Sequence, residues 1–529
     1  MTTTTYRWAN SGDVNAFFGL MLDNMTDLVI MAVLLSGFGL PKDIIYYRMI
    51  PGTALGVMLG DLVFTWMAIR LARKTGQNDV CAMPLGLDTP STFLFCLSIL
   101  GPAFLAAKSA GLDSNQAGMV AWEIGMAVLV VCGVVKVGLS FAGNFVRKAV
   151  PRAGLLGSIA GIALLLIAFL PAIHIWQTSV VGMLSLGVIL VAIVGRRALP
   201  GGMPAAFAAV LLGSVAYYVL GAFGVYDGGS LTQAISSVEL RIALPWPTLG
   251  FVAGIKGALP YLALAIPWAV ATVVGGIDCT ESAAAVGDDY DTKDVLLTEG
   301  IATVVAGLCG GVIQSTPYIG HPAYKEMGGR AAYTLATALF IGLGGIIGFL
   351  PFFLELLPEA AVAPILVFIG LEITSQAFNA TPKKHASAIA IAFIPSIAYL
   401  LTIEVNQALF SAGTSVAALT GMFKGTWETV EIMANGFIVT AMIWGGGTAF
   451  IIDKDYGRAA VSFLAGAGCV MVGIIHSPLA GGQLFWPWQL SIQETGVVLT
   501  NAGAYATLAG LVWMFNWIGN REAQPESSL

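Results

Sequence analysis

Two pairs of carboxylates stand inside apolar stretches of this sequence. Asp278 and Glu281, in VVGGIDCTESAAAV, are three residues apart; Asp23 and Asp27, in LMLDNMTDLV, are four apart. Either spacing puts both acids on one face of a helix. Carboxylates in such surroundings are costly and suit carriage of a proton or cation, or acceptance of hydrogen bonds from a solute. The plainer alternative is that Asp278 and Glu281 are interfacial, continuous with the acidic run Asp288, Asp289, Asp291 and Asp294. Two short polar breaks carry further candidates: MPLGLDTPSTF at 83–93, with Asp88, Thr89 and Ser91, and QSTPYIGHPAY at 314–324, with Tyr318, Gly320 and His321. Of the four histidines only His321 falls in a break, where a group titrating near neutrality could couple protonation to binding.

The elements that must position these residues are membrane helices. The 529 residues are 57% hydrophobic and only 10% charged, with a mean hydropathy of +0.84. A water-soluble fold of this composition would expose large apolar patches, whereas a bilayer is a natural solvent for that surface. Apolar segments long enough to cross a hydrocarbon core of about 30 Å are expected at 14–39, 44–69, 84–107, 116–142, 153–172, 175–195 and 203–224. After a polar loop at 225–247, with an interfacial helix expected near Trp246, seven more follow at 250–286, 295–313, 316–330, 332–354, 359–378, 385–403 and 426–451. The segments 456–477 and 497–519 would raise the count from 14 to 16.

With the N-terminus on the cytoplasmic side, most of the 24 lysines and arginines fall at inner ends; Lys42, Arg48, Lys108, Arg241 and Lys424 fall outside. That asymmetry is the one the positive-inside rule requires. Lys136 and Lys256 lie within spans and are expected to snorkel to an interface. Seven crossings per half reverse the second half, so the chain is expected to be an inverted repeat in which the third and tenth segments correspond. Both are interrupted by paired prolines, Pro84 with Pro90 and Pro317 with Pro322.

Extended backbone at membrane depth persists only if it is paired, buried or lining a cavity. Residues 83–89 and 315–321 are expected to be extended and to pair with each other. A half-helix should start with Thr89 as N-cap and Pro90 at N1, and another at Gly320 or His321. Helix N-termini facing each other near the midplane would suit an anionic or carbonyl-rich planar ligand.

Other classes are disfavoured. The stretch MTTTTYRWANSGDV lacks the basic and apolar regions of a cleavable signal, so the first helix is expected to direct insertion. The cysteines Cys81, Cys96, Cys132, Cys279, Cys309 and Cys469 show no metal-ligand or disulfide spacing and read as small core residues. No basic run resembles a nucleic-acid footprint. There is no GxxxxGK[ST] loop for direct ATP drive and no nucleophile with a base partner, so an enzyme is not expected.

At these motifs the chain resembles the nucleobase–cation symporter superfamily, the uracil/xanthine permeases and AzgA-like hypoxanthine/guanine permeases, over roughly 14–450. The most specific part is STPYIGHPAYKEMGGR at 315–330, supported by PLGLDTPSTF, VPRAGLLGSIAGIALLLI and PEAAVAPILVFIG. The resemblance implies an all-α polytopic fold of two inverted seven-span repeats with short extended segments in spans 3 and 10. It implies a core domain, 14–142 and 250–354, a gate domain, 150–224 and 359–451, and here a C-terminal extension, 452–529, with one or two extra spans. Solute would lie between spans 3 and 10 beside span 8, touching Asp278, Glu281, Thr89, Ser91, Asp88, Gly320, His321 and Tyr318. Coupling would fall to Asp278, Glu281, His321, Asp23 and Asp27. One departure stands out: the family's span 10 glutamate aligns with Gly320, next to His321. The expectation is a proton- or sodium-coupled permease for a small planar or anionic solute such as a nucleobase, with an anion exchanger of the sulfate-permease type as the alternative. It would be a homodimer in the cytoplasmic (inner) membrane, needing no cofactor beyond the coupling ion and no metal.

Overall fold

A computed structural model describes residues 6–197, 199–200, 203, 205–226, 241–412, 414, 416–479 and 482–522. Every apolar segment expected from the sequence is found as helix, or as strand followed by helix. In chain order these are α1 (Gly12–Gly37), α2 (Lys42–Thr75), β1 (Leu85–Leu87), α3 (89–109), α4 (Ser114–Ala149), α5 (Arg152–Gln177), α6 (Ser179–Val194) and α7 (Ala205–Ala222). The second half has α8 (Gly250–Ala285), α9 (Thr292–Leu308), β2 (Ser315–Pro317), α10 (His321–Glu326), α11 (Ala332–Ile347), α12 (Glu359–Asn379) and α13 (Lys383–Leu409). It continues with α14, whose arms Gly421–Ala434 and Phe437–Ile452 meet at 75°, then α15 (Tyr456–Met471) and α16 (Ile492–Glu522). Among the described residues eight helices are long and apolar enough to cross a bilayer, or nine if the two arms of α14 form one span. The protein is a polytopic helical membrane protein.

The two breaks are where the sequence put them, and they pair. β1 and β2 run antiparallel with Leu85 opposite Pro317, Gly86 opposite Thr316 and Leu87 opposite Ser315. Tyr318 N–H extends the ladder to Pro84 O at 2.8 Å. Each strand is followed by a helix, and antiparallel pairing of the two strands is what an inverted repeat would produce. Pro317 fits because its missing N–H falls outside the central Gly86–Thr316 pair.

Around the strands α4 packs on α8 and α9, and α2 packs on α9 and α11. Their buried side chains join α1 and α3 in one large apolar cluster. The last two helices pack on each other and on α14, in a second cluster that reaches Leu155 of α5 and Val273 and Ile277 of α8.

Three local expectations are corrected. Lys136 does not snorkel: its side chain is fully buried and its Nζ lies 2.7 Å from the equally buried Glu299. Lys256, by contrast, is exposed on the outside of α8. Trp246 lies in the non-helical stretch 241–248, held by Ala243 N–H on Ile346 O and Thr248 N–H on Leu308 O, so no interfacial helix forms at the tryptophan; residues 227–240 lie outside the described set. The cap of α3 is Asp88 rather than Thr89, since the Asp88 carboxylate accepts from Ser91 N–H at 3.0 Å and also from the Ser91 hydroxyl. A carboxylate can take both donors, and Thr89 and Pro90 move into the first turn.

Candidate functional site

The site is built outward from β1 and β2. A three-residue strand pair uses only part of its backbone polar groups within the pair, and those facing away must be satisfied by neighbouring helices. On the β1 side the unmet groups are N–H donors, and acceptors meet them. Leu85 N–H donates to Asp61 Oδ1 of α2 at 2.9 Å, and Leu87 N–H donates to Asn24 Oδ1 of α1 at 3.0 Å. On the β2 side the unmet groups are carbonyls, and donors meet them. Ser315 O accepts from Lys136 Nζ of α4 and Thr303 Oγ1 of α9, both at 3.4 Å, and Pro317 O accepts from the Cys279 thiol of α8 at 3.2 Å.

Where α3 begins, Ser91 is fully buried and is the centre of a second network. Its hydroxyl accepts from Trp268 Nε1 of α8 and from Gln314 Nε2, each at 2.6 Å, and donates to Asp88. Trp268 in turn stacks on Tyr399 at 5.6 Å between centroids, and Tyr399 stacks on Phe437 at 4.2 Å and 9°. Helices α8, α13 and α14 thus close an aromatic wall over the polar start of α3.

Several acceptor atoms in this region are buried without a hydrogen-bond donor: Gln314 Oε1, Asp278 Oδ1 and Asp61 Oδ2. Asp278 is fully buried, and its other oxygen accepts from Ser158 Oγ of α5 at 2.5 Å. A buried acceptor left unmet is costly, and such atoms mark where a proton, a cation or a donor-bearing ligand would be stabilised.

The remaining sequence candidates divide. Asp23 joins the strand pair: its Oδ2 lies 3.3 Å from where a side chain on Gly86 would begin, with the Tyr318 ring on the same side. Asp27 is buried one turn further along α1. Gly320 precedes α10, and a side chain there would collide with the rings of Tyr318 and Tyr324. Thr89 sits in the first turn of α3.

Glu281 and His321 face other partners than Ser91. Glu281 is held by Arg147 Nε at 2.8 Å and Arg152 Nε at 2.5 Å. Asp278 and Glu281, though on neighbouring positions of α8, therefore diverge in surroundings. His321 contacts Ala82 O through Nδ1 at 3.1 Å and Asp288 Oδ2 through Nε2 at 3.0 Å. Asp288, in the loop between α8 and α9, also accepts from Lys325 Nζ at 2.7 Å and from Cys81 N–H at 3.1 Å. It ties the approach to β1 to the helix that follows β2. Burial pushes the Asp288 carboxyl up, but hydrogen bonds and charge from His321 and Lys325 outweigh it and hold the pKa below the ordinary carboxylate value.

Sequence reasoning missed Asp61, Gln314, Trp268, Ser158 and the Lys136–Glu299 pair. Asp61 was findable as a lone acid within the apolar run IPGTALGVMLGDLVF. Among the described residues no group of three or more His, Cys, Asp or Glu is placed to hold a metal ion.

No protein-family model matches the chain, and no curated protein matches it in sequence. Among solved structures it is similar to the transmembrane domain of a cyanobacterium bicarbonate transporter, BicA, at 15% identity, covering 74% of this chain and 96% of that one with a TM-score of 0.43. It is also similar to SLC26A9 at 12% identity, over 75% of this chain and 65% of that chain, TM-score 0.43. A third similarity, at 12% identity and TM-score 0.36, is to the murine anion transporter Slc26a9 in an inward-facing state, over 76% of this chain and 68% of that chain.

Proposed function

We propose that this protein is a secondary transporter that binds a small solute where β1, β2, α3 and α8 meet, and moves it across the membrane with a proton or sodium ion. The observation that carries the reading is paired extended backbone in the middle of an apolar helical protein, flanked by buried acceptor atoms that have no donor. Backbone breaks of this kind belong to binding sites between inverted repeats. Three of the unmet atoms, Gln314 Oε1, Asp278 Oδ1 and Asp61 Oδ2, are acceptors and fit a solute that presents N–H groups, such as a nucleobase or a related planar compound, while the unmet Ser315 hydroxyl can donate to a carbonyl of the same solute. Asp278 is assigned to coupling, with Ser91, Gln314 and Asp88 to solute contact and the Trp268–Tyr399–Phe437 wall to stacking. Glu281 and His321 are assigned to holding helix ends together. The core would be α1–α4 with α8–α11, rocking against a gate of α5–α7 with α12–α14. The protein would act as a homodimer in the cytoplasmic membrane, its N-terminus inside.

A second reading, exchange of a small anion such as bicarbonate or sulfate, has its own support. The N–H of Ser91 in the first turn of α3 already holds a carboxylate oxygen of Asp88, so this helix end accepts an oxyanion. In that reading the solute anion displaces Asp88.

Proteoliposomes holding the purified protein separate the readings. Uracil, xanthine, guanine, hypoxanthine, bicarbonate and sulfate are offered under an imposed proton gradient, an imposed sodium gradient, and neither. Gradient-driven uptake of an N–H-bearing solute, abolished in Asp278→Asn, is the expected outcome. Anion flux that needs only an anion on the opposite side would establish exchange. Absence of flux for every solute would refute transport of these classes.

A further inference from the structure

We infer that Lys136 is a tethered cation, its ammonium occupying for good a monovalent-cation position that β2 and Glu299 create. A backbone carbonyl released from helix or ladder pairing, beside a carboxylate and a threonine hydroxyl, is the kind of oxygen environment in which broken membrane helices hold sodium. Here Glu299 and Ser315 O supply two such oxygens to the Lys136 ammonium, at 2.7 Å from Glu299 Oε1 and 3.4 Å from Ser315 O, and the Thr303 hydroxyl donates to the same Ser315 carbonyl at 3.4 Å. Both charged side chains are fully buried.

Such a pair is a poor way to gain stability, because desolvating two ions offsets most of their attraction and apolar replacements of similar volume serve as well or better. Lys136 and Glu299 instead place an ammonium and a carboxyl group, held against each other, at the strand that would line the solute site. The space beside them is tight: a side chain on Gly276 of α8 would start 3.0 Å from Glu299 Oε2. With the lysine in place β2 needs no ion from solution, which leaves any exchangeable proton or sodium to the carboxylates facing β1 and α5. The inference rests on the strand pair being the solute site, but its test needs no solute.

Thermal unfolding of the purified full-length protein is followed in sodium, lithium, potassium and choline chloride at equal ionic strength. Wild type should show no cation-selective shift that Glu299→Gln removes. Lys136→Ala, which vacates the ammonium position, should be destabilised in choline chloride and regain several degrees, saturably, in one of the alkali salts. Adding Glu299→Ala should abolish that selective recovery. Lys136→Gln serves as a second variant if Lys136→Ala is not recovered folded. Melting of the lysine variant that is indifferent to the cation overturns the inference. So does a sodium-selective shift in wild type that Glu299→Gln removes. Failure of both lysine variants to fold in every salt also overturns it, since a vacated cation position that no cation can refill is not one. Transport fails or stands on flux, this inference on melting.

Discussion

Ser91→Ala tests the site where its geometry is most specific. The hydroxyl takes two donors, Trp268 Nε1 and Gln314 Nε2, and gives its own proton to Asp88. Alanine removes all three bonds and strands the buried Gln314 Nε2 donor, whereas Trp268 Nε1 still has the Asp88 carboxylate as an acceptor. Asp88 loses less, because Ser91 N–H still reaches it at 3.0 Å. Side-chain hydrogen bonds within membrane proteins average about 0.6 kcal/mol and reach roughly 1.7 kcal/mol. Three of them would be worth roughly 2 kcal/mol at the average, with about 5 kcal/mol as a ceiling. The full cost of stranding a buried donor, about 1–3 kcal/mol, applies only if no water enters the vacated space. The expected loss is therefore about 2–3 kcal/mol, measured by equilibrium unfolding in mixed micelles with increasing SDS and read by tryptophan fluorescence. Ser91→Thr keeps an oxygen and should lose much less. In a double-mutant cycle, Ser91→Ala with Gln314→Leu should be less destabilising than the sum, because one stranded donor has been removed. A loss below about 0.5 kcal/mol for Ser91→Ala, or strict additivity in the cycle, would refute the network.

Further outcomes follow from the same contacts. Lys136→Met strands a buried glutamate and should cost about 3–5 kcal/mol, whereas Lys136→Met with Glu299→Leu should return to within about 1 kcal/mol of wild type; the same unfolding assay decides. Asp278→Asn, isosteric and still able to bond Ser158, should leave stability nearly unchanged while removing gradient-driven uptake. Glu281→Gln should do the reverse, loosening its contacts with Arg147 and Arg152 but sparing solute binding; equal effects of both substitutions on binding would contradict the assignment. For Asp288, whose folded-state pKa lies below its unfolded value near 3.9, the stabilisation is complete above about pH 4 and is lost as pH falls through the folded value. The advantage of wild type over Asp288→Asn should therefore vanish on acidification, and melting curves from about pH 7 down to pH 3 would expose the opposite trend.

The helices and both breaks were legible because they are one-dimensional signals: apolar length, proline pairs and the polar run between them. Pairing of β1 with β2 followed from a general constraint, since neither strand can stand alone at membrane depth. What was not legible depended on which residues meet across long separations. Lys136 and Glu299 each sit as single charges in apolar helices, and only their proximity turns an expected snorkelling lysine into a buried pair. Gln314 and Trp268 belong to no period or motif, yet both converge on Ser91. Asp278 and Glu281 share a helix face, but α8 crosses from the neighbourhood of Ser158 to that of Arg147 and Arg152 within one turn, and spacing alone is blind to that boundary.

The two strands run antiparallel, but the side chains that hold them are not equivalent, and this inequality constrains the proposed mechanism. β1 turns its free N–H groups to Asp61 and Asn24, so the wall behind it is acceptor-rich, and Asp23 adds a second carboxylate on that side. β2 turns its free carbonyls to Lys136, Thr303 and Cys279, so the wall behind it is donor-rich. Both walls lie on the outer edges of the strand pair, and their acceptors and donors are taken up by the strands' own N–H and carbonyl groups. They therefore fix where the pair sits, and a solute in the proposed site would lie against a face of the pair beside the start of α3. Under the proposed function a proton or cation arriving from solution would find the unmet carboxylate oxygens of Asp61 and Asp278, whereas on the β2 side the Lys136 ammonium already stands 2.7 Å from Glu299.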